Sequence, residues 1–252
     1  MKIKWWGHAS FLLTDDRGVR IITDPYGDEL PYKRISDEAD IVTISHEHYD
    51  HNKAEVVGGN PEIIRSTGTF TVEDIRITGI PTKHDKNEGR DRGDNIIFLF
   101  EFAGKRIAHL GDLGHIPDAE ALEQLADLDI LMLPVGGTYT INSEEAYEIC
   151  QKIKPALIVP MHYKTDILEF DITRLDNFTR FFAEDQIYRV DSAEVDTDSI
   201  PTGKEVLVLD YVRSNQERQK DTGDGSPVSF NREQNKHRDG SLVLFDNKGQ
   251  TQ

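Results

Sequence analysis

Cysteine is all but missing from this chain. Cys150 stands alone among 252 residues, so no intrachain disulfide can form. Long apolar runs are missing too. No stretch of 18 apolar residues occurs, which excludes a helical membrane span. The first residues, Met1 to His8, contain neither a long apolar core nor a small-residue cleavage site, so they do not read as a signal peptide. Cytoplasm is the expected location. Positive charge is scarce: 29 Lys and Arg face 46 Asp and Glu, a formal net charge of −17. An acidic body of this kind argues against non-specific binding to nucleic acid or to anionic membranes. It leaves room for a local positive site built by metal ions. Internal repeats and a phosphate-binding glycine loop are also absent.

What the chain does have is histidine, and it is concentrated. Ser45-His46-Glu47-His48-Tyr49-Asp50-His51 places four good metal ligands in seven residues. The β-branched run Ile41–Ile44 just before it reads as a buried strand. His46 and His48 are two apart and point to one side in extended chain. Asp50 and His51 follow as the chain turns and can serve a second point nearby. Two metals need about seven or eight protein ligands, so further His and Asp are expected downstream.

They appear, each at or just after an expected strand end. Residues 75–80 lead to His84, the strand of 105–109 leads to Asp112, and the apolar run 156–160 leads to His162. Strand ends gather on one edge of a layered fold, so distant residues can converge there. A sensible partition sets His46, His48 and His84 on one metal and Asp50, His51 and His162 on the other. Asp112, between two glycines, bridges them with its two carboxylate oxygens. Imidazole and carboxylate donors suit zinc first, with manganese or iron as alternatives. The local charge favours a small anionic or electron-rich substrate. The indicated chemistry is metal-assisted hydrolysis of an ester, lactone, amide or phosphoester.

The rest of the pattern fills in one domain over residues 1–213. Strands are expected at 2–6, 10–14, 19–23, 41–45, 62–65, 70–72, 75–80, 95–101, 105–109, 130–134, 156–160, 186–190 and 205–211. A short helix near 52–57, helices at 118–126 and after Asn142 or Ser143, and an amphipathic helix over 172–183 complete the list. Cys150 falls on the apolar face of the third of these, as a core residue. Residues 85–94 read as a mobile charged loop beside His84. Residues 214–252 are polar and glycine-containing, with six basic and six acidic residues and one apolar run, Ser241–Phe245. They carry the signature of a disordered tail.

At this point the pattern resembles the metallo-β-lactamase superfamily. Residues 46–51 match its His-x-His-x-Asp-His motif, and His84, Asp112 and His162 match its later ligands in order. The resemblance implies an α+β fold, a four-layer αββα sandwich with a dinuclear site at one edge. Gly7-His8-Ala9-Ser10-Phe11, Thr23-Asp24-Pro25, His109 to His115, Pro134 to Thr140 and Pro160 to Tyr163 look like the branch around ascorbate-6-phosphate lactonase, which holds many zinc-dependent hydrolases. Phosphodiesterases acting on lipids are similar as well. Di-iron redox relatives carry Glu where His48 stands, and RNA-processing relatives need a further domain for which this chain has no room.

The catalytic candidates are thus Asp50 and Asp112, with His8, His115 and Tyr139 as candidate substrate contacts. For His8 a structural role weighs equally. Asp24 is a candidate to orient a ligand imidazole, and His109 reads as structural. Lys164, Arg90 and Arg92 are able to hold a phosphate, although solvated surface charge is the commoner fate. Three functions compete: a hydrolase of a small anionic substrate, a phosphodiesterase on a lipid or nucleotide, and a metal-stabilised binding protein. A homo-oligomer is compatible with all three.

Overall fold

The computed structural model describes residues 1–213; the tail and its Ser241–Phe245 run lie outside the described residues. Fourteen strands occur among them: β1 Lys2–Gly7, β2 Ser10–Thr14, β3 Arg20–Thr23, β4 Glu38–Thr43, β5 Gly58–Ile64, β6 Gly68–Val72, β7 Ile75–Lys83, β8 Asp94–Phe102, β9 Lys105–His109, β10 Ile130–Pro134, β11 Leu157–Met161, β12 Ile187–Val190, β13 Glu194–Asp196 and β14 Val206–Leu209. Three α-helices join them: α1 Ala119–Gln124, α2 Ser143–Ile153 and α3 Asp176–Thr179. The strands form two mixed sheets, in the orders β13-β1-β2-β3-β4-β5 and β12-β14-β11-β10-β9-β8-β7-β6. The fold is an α+β sandwich.

Local chemistry accounts for most of these elements. In β1, Ile3 and Trp5 are buried while Lys2 and Lys4 face outward, the period-2 pattern of a half-buried strand. The strands β10 and β11 are buried throughout, as central parallel strands covered on both faces are. Two tight hairpins turn on pairs of left-handed residues, Glu73-Asp74 between β6 and β7 and Ala103-Gly104 between β8 and β9. Asn142 caps α2 in a reciprocal capping box with Glu145, and Ala146, Ile149, Cys150 and Ile153 form its buried face. Asp118 caps α1 through the Ala121 N–H.

Several elements differ from the sequence reading. The amphipathic helix expected over 172–183 shrinks to the four residues of α3. The preceding chain is tied elsewhere: Thr173 N–H and Oγ1 both donate to the Gly136 carbonyl, at 2.7 and 3.1 Å, and Lys164 N–H donates to the Thr173 carbonyl. Downstream, Ala183 leaves helical geometry to cap a 3₁₀ turn at Glu184–Gln186. The helix near 52–57 is a 3₁₀ turn at Ala54–Val56. The strand β4 starts earlier and ends at Thr43, so Ile44 and Ser45 already belong to the ligand loop. The short strand β13, which pairs with β1, has too few residues to announce itself.

Buried side chains fill the space between the sheets, with Phe11, Leu13, Ile21 and Ile41 from one and Phe98, Phe100, Ile107 and Met132 from the other. His109 ties the layers together. Its Nε2–H donates to the Ala9 carbonyl at 2.8 Å and its Nδ1 accepts the Gly111 N–H at 3.2 Å. Both ring nitrogens are thereby satisfied, and the structural reading of His109 stands. Strand directions bring the C-terminal ends of β1, β3, β4, β7, β9 and β11 to one edge of the sandwich.

Candidate metal centre

The loops leaving those six strand ends carry His8, Asp24, His46 to His51, His84, Asp112 and His162. Three groups have their ligand atoms all within 4.8 Å: His46, His48 and His84; His8, Asp50, His51 and His162; and Asp24, His46 and His51, which links the first two. Asp112 sits between the first two. Its Oδ2 lies 3.2 Å from His84 Nε2, 3.3 Å from His51 Nε2, 3.3 Å from His162 Nε2 and 3.9 Å from His46 Nε2. The imidazoles of both groups therefore surround one carboxylate oxygen, whereas the sequence reading used both. The other, Oδ1, is buried without a hydrogen-bond partner.

Backbone constraints fix this arrangement. His8, Asp24 and His162 all adopt left-handed conformations, with φ of 53°, 38° and 51°. Non-glycine residues pay strain for that geometry, and it is held here by surrounding bonds. The His162 N–H donates to the His8 carbonyl at 3.2 Å, and Trp5 Nε1–H donates to the same oxygen at 3.1 Å. Gly111, at φ 56°, lets the chain turn into Asp112; a Cβ there would run into Asn95 Oδ1 and the Ser45 side chain. Asn95 Oδ1 accepts the Asp112 N–H at 2.9 Å, and its Nδ2 donates to the Leu110 carbonyl at 3.0 Å.

A buried outer layer orients the rings. Asp24 Oδ2 accepts from His51 Nδ1 at 2.9 Å, and Asp24 also accepts from the Ser45 N–H and Oγ–H. That contact leaves His51 Nε2 facing Asp112. Ser45 Oγ lies 2.9 Å from His46 Nδ1. His8 Nε2 lies 3.1 Å from Asp50 Oδ2.

Protonation follows from burial and neighbours. Burial, helped by the nearby His162 and His51 rings, pushes His8 down to about 4. Burial and the His51 ring push His46 down to about 3. Burial alone would raise the Asp50 and Asp112 carboxyls. The hydrogen bond with His8 and the His51 ring outweigh it at Asp50, and the His162 and His51 rings do so at Asp112, so both stay ionised. Burial works against a charged His51, but Asp112 and Asp24 prevail and lift it well above its ordinary value. The spot enclosed by Asp24, Asp50 and Asp112 thus demands positive charge.

The donor set fits a divalent cation. His46 Nε2, His51 Nε2 and Asp112 Oδ1 are buried polar atoms with no hydrogen-bond partner. Atoms of that kind are costly to bury unless something binds them, and neutral imidazoles with ionised carboxylates are the forms that ligate metal.

A cavity of about 310 Å³ opens over the cluster, lined by His48, Asp50, His84, Asp112 and His162 and walled by Tyr49, Arg92, Tyr139 and Phe170. A larger trough of about 740 Å³ runs beside it and reaches the cluster only through His46 and His48. Tyr139 therefore lines the cavity, packed edge-on against Phe170 at 6.1 Å. His115 is not brought into the cluster. Its Nδ1 lies 2.9 Å from the Ile116 carbonyl and its Nε2 accepts the Lys83 N–H at 3.3 Å, so it braces the end of β7. Lys164 Nζ donates to the Phe170 carbonyl, and Arg90 pairs with Glu88. Ser45, Asn95 and Phe170 escaped the sequence reading. Ser45 directly precedes His46 and was within reach of it; Asn95 and Phe170 become site residues only through long-range packing.

The family described as beta-lactamase superfamily domain is matched over residues 2–162. A metal-dependent hydrolase of the UPF0173 group from Thermoplasma acidophilum is 32% identical over 202 residues, which cover 70% of this chain and 87% of the relative. A UPF0173 protein from Pyrococcus furiosus is 35% identical over 188 residues, 66% of this chain and 84% of that one. The crystal structure of a metallo-β-lactamase superfamily protein from Thermotoga maritima superposes with a TM-score of 0.70 at 37% identity, covering 84% of this chain and 99% of its own.

Proposed function

Since the chain belongs to the metallo-β-lactamase superfamily and is a metal-dependent hydrolase, we propose that its centre is dinuclear and opens an ester, lactone or phosphoester bond of a small anionic substrate. The carrying observation is the meeting of four imidazoles around Asp112 Oδ2 while ligand-type atoms stay buried and unpartnered. His46, His48 and His84 would hold one cation. Asp50, His51 and His162 would hold the second, with Asp112 shared. Nitrogen and oxygen donors without thiolate favour zinc, then manganese or iron.

When bound, the two ions supply Lewis acidity, acidifying water toward neutrality and offsetting negative charge that develops on a substrate oxygen. The chain does the rest. Asp112 fixes the spacing between the two groups. Asp50, kept ionised beside His8, accepts a proton from water at the cavity floor. Asp24 keeps the His51 ring in register. Tyr139 and Phe170 narrow the cavity and exclude bulk water. The likeness to ascorbate-6-phosphate lactonase puts sugar lactones among the substrates to try. The single cysteine, buried in α2 with its thiol pushed up to about 12 by burial, accords with a reducing cytoplasm.

The test is elemental analysis of freshly purified protein, followed by an ester, lactone and phosphodiester panel with the metal found. Two ions per chain are expected, with turnover that disappears in His48→Ala. Undiminished turnover in that variant, or turnover in the presence of a strong chelator, would sink the reading.

A further inference from the structure

Arg92 stands out among the cations around the centre because its neighbours are held by acidic side chains or, for Lys164, by a backbone carbonyl, and its guanidinium is not. Lys83 pairs with Asp94, Lys86 with Glu145, Arg65 with Glu47 and Arg90 with Glu88. The Arg92 guanidinium has no acidic partner among the described residues. It lies instead 4.8 Å from the centre of the Tyr139 ring, on the wall of the 310 Å³ cavity, and it also borders the 740 Å³ trough. A guanidinium supported by an aromatic face keeps donors free for a planar or tetrahedral oxyanion.

Its backbone is not loose. The loop 85–93 is closed on Asp85, whose Oδ1 accepts the Asn87 and Gly89 N–H groups and whose Oδ2 accepts those of Asp91 and Arg92, at 2.7 to 3.1 Å. The His84 N–H donates to the Gly93 carbonyl at 3.1 Å. Arg92 is thus fixed to the same short segment that carries His84. A cation built this close to a catalytic floor, in a body of net charge −17, holds a charged group at a set distance from the bond that reacts.

We propose that Arg92, seated on Tyr139, is an oxyanion-binding subsite that holds a carboxylate or phosphate of the substrate at the mouth of the cavity. It selects anionic substrates over neutral ones of the same shape. The inference deepens the hydrolytic reading and rests on it for the word substrate, but the subsite can be measured without turnover.

The probes are phenylphosphonate, phenylacetate and neutral benzamide, titrated by ligand-observed NMR into the metal-loaded full chain. Wild type is compared with Arg92→Met and Arg92→Lys. The Arg92→Met variant is expected to weaken an anionic probe by about tenfold to a hundredfold, with Arg92→Lys intermediate and benzamide unchanged. The anion that loses more identifies the group the subsite takes. Equal anion affinity in wild type and Arg92→Met overturns the proposal, as does a uniform loss that includes benzamide. If no substrate panel gives turnover while this binding difference persists, the hydrolytic reading fails and the subsite stands.

Discussion

The two halves of the centre are built differently. Around His8, Asp50, His51 and His162 every residue is buried, and a second set of bonds holds the first: Asp24 on His51, His8 on Asp50, and the Trp5 indole and the His162 N–H on the His8 carbonyl. Around His46, His48 and His84 support is thinner. Ser45 steadies His46, but no hydrogen bond to the His48 ring occurs among the described residues, and His84 Nδ1, like His8 Nδ1 and His162 Nδ1 in the other half, is buried without a partner. Outer-layer bonds that orient ligands raise metal affinity. In the dinuclear centre proposed here, the deep half is therefore expected to hold its ion tightly, while the shallow half, whose His48 is not buried, exchanges its ion more readily.

Asp112 belongs to both halves, so its loss offers the largest effect. Asp112→Ala removes the oxygen on which four rings meet and leaves their mutual repulsion. Metal content by elemental analysis should fall at both positions, and hydrolysis by about 10³-fold or more, the scale seen when a group that stabilises developing charge is removed. Retention of one full equivalent of metal would show that one half stands without the shared carboxylate.

Asp24→Asn tests chiefly the deep half, since Asp24 bonds His51 directly and reaches His46 through Ser45. Asn keeps one acceptor oxygen but loses the other and the negative charge. A chelator competition should show the tighter ion weakened by about 10- to 100-fold and the looser ion little changed. Equal weakening of both would erase the distinction between the halves.

Gly111 probes the floor they share. Gly111→Ala sets a Cβ against Ser45, which steadies the shallow half, and Asn95, which holds Asp112, in a left-handed backbone besides. Overpacking with strain of this kind costs about 1–3 kcal/mol, readable as a shift in the denaturant midpoint at unchanged slope. An unshifted midpoint would mean that the floor yields.

The sequence carried the candidate ligands more plainly than their supports. His46 to His51 are legible because short spacing after a β-branched strand is a local property. His84, Asp112 and His162 are legible because strand ends recur on one edge. What was hidden depends on contacts between residues that only the folded strand ends bring together. His8 reaches Asp50 from 42 positions away, and Asn95 meets Asp112 across a hairpin, with no pattern in either neighbourhood to announce the pairing. His115, adjacent to a motif, stays outside the ligand cluster: it accepts the Lys83 N–H and lines the neighbouring trough. The helix expected over 172–183 failed for a related reason. Its apolar spacing was real, yet Thr173 was already committed to Gly136, a tertiary bond that periodicity does not register.

The smallest effect concerns the loop next to His84, and it carries a pH dependence. Burial works to raise the Asp85 carboxyl, but backbone N–H groups from Arg92, Asn87, Gly89 and Asp91 outweigh it and hold the group below its ordinary value of 3.8. A carboxyl depressed in the folded state adds stability that is complete above the unfolded value and is lost as pH falls through the folded one. Amide hydrogen exchange across residues 86–93 should therefore stay protected from neutrality down to about pH 4, after allowance for intrinsic rates, and lose protection below it. Asp85→Asn should show reduced protection already at neutral pH, because its amide presents one acceptor oxygen to four donors. The deep half, whose supports lie outside this loop, should keep its ion in the same variant. Loss of both ions on changing Asp85 would mean that the loop and the deep half are one cooperative unit, and that the division between them is drawn in the wrong place.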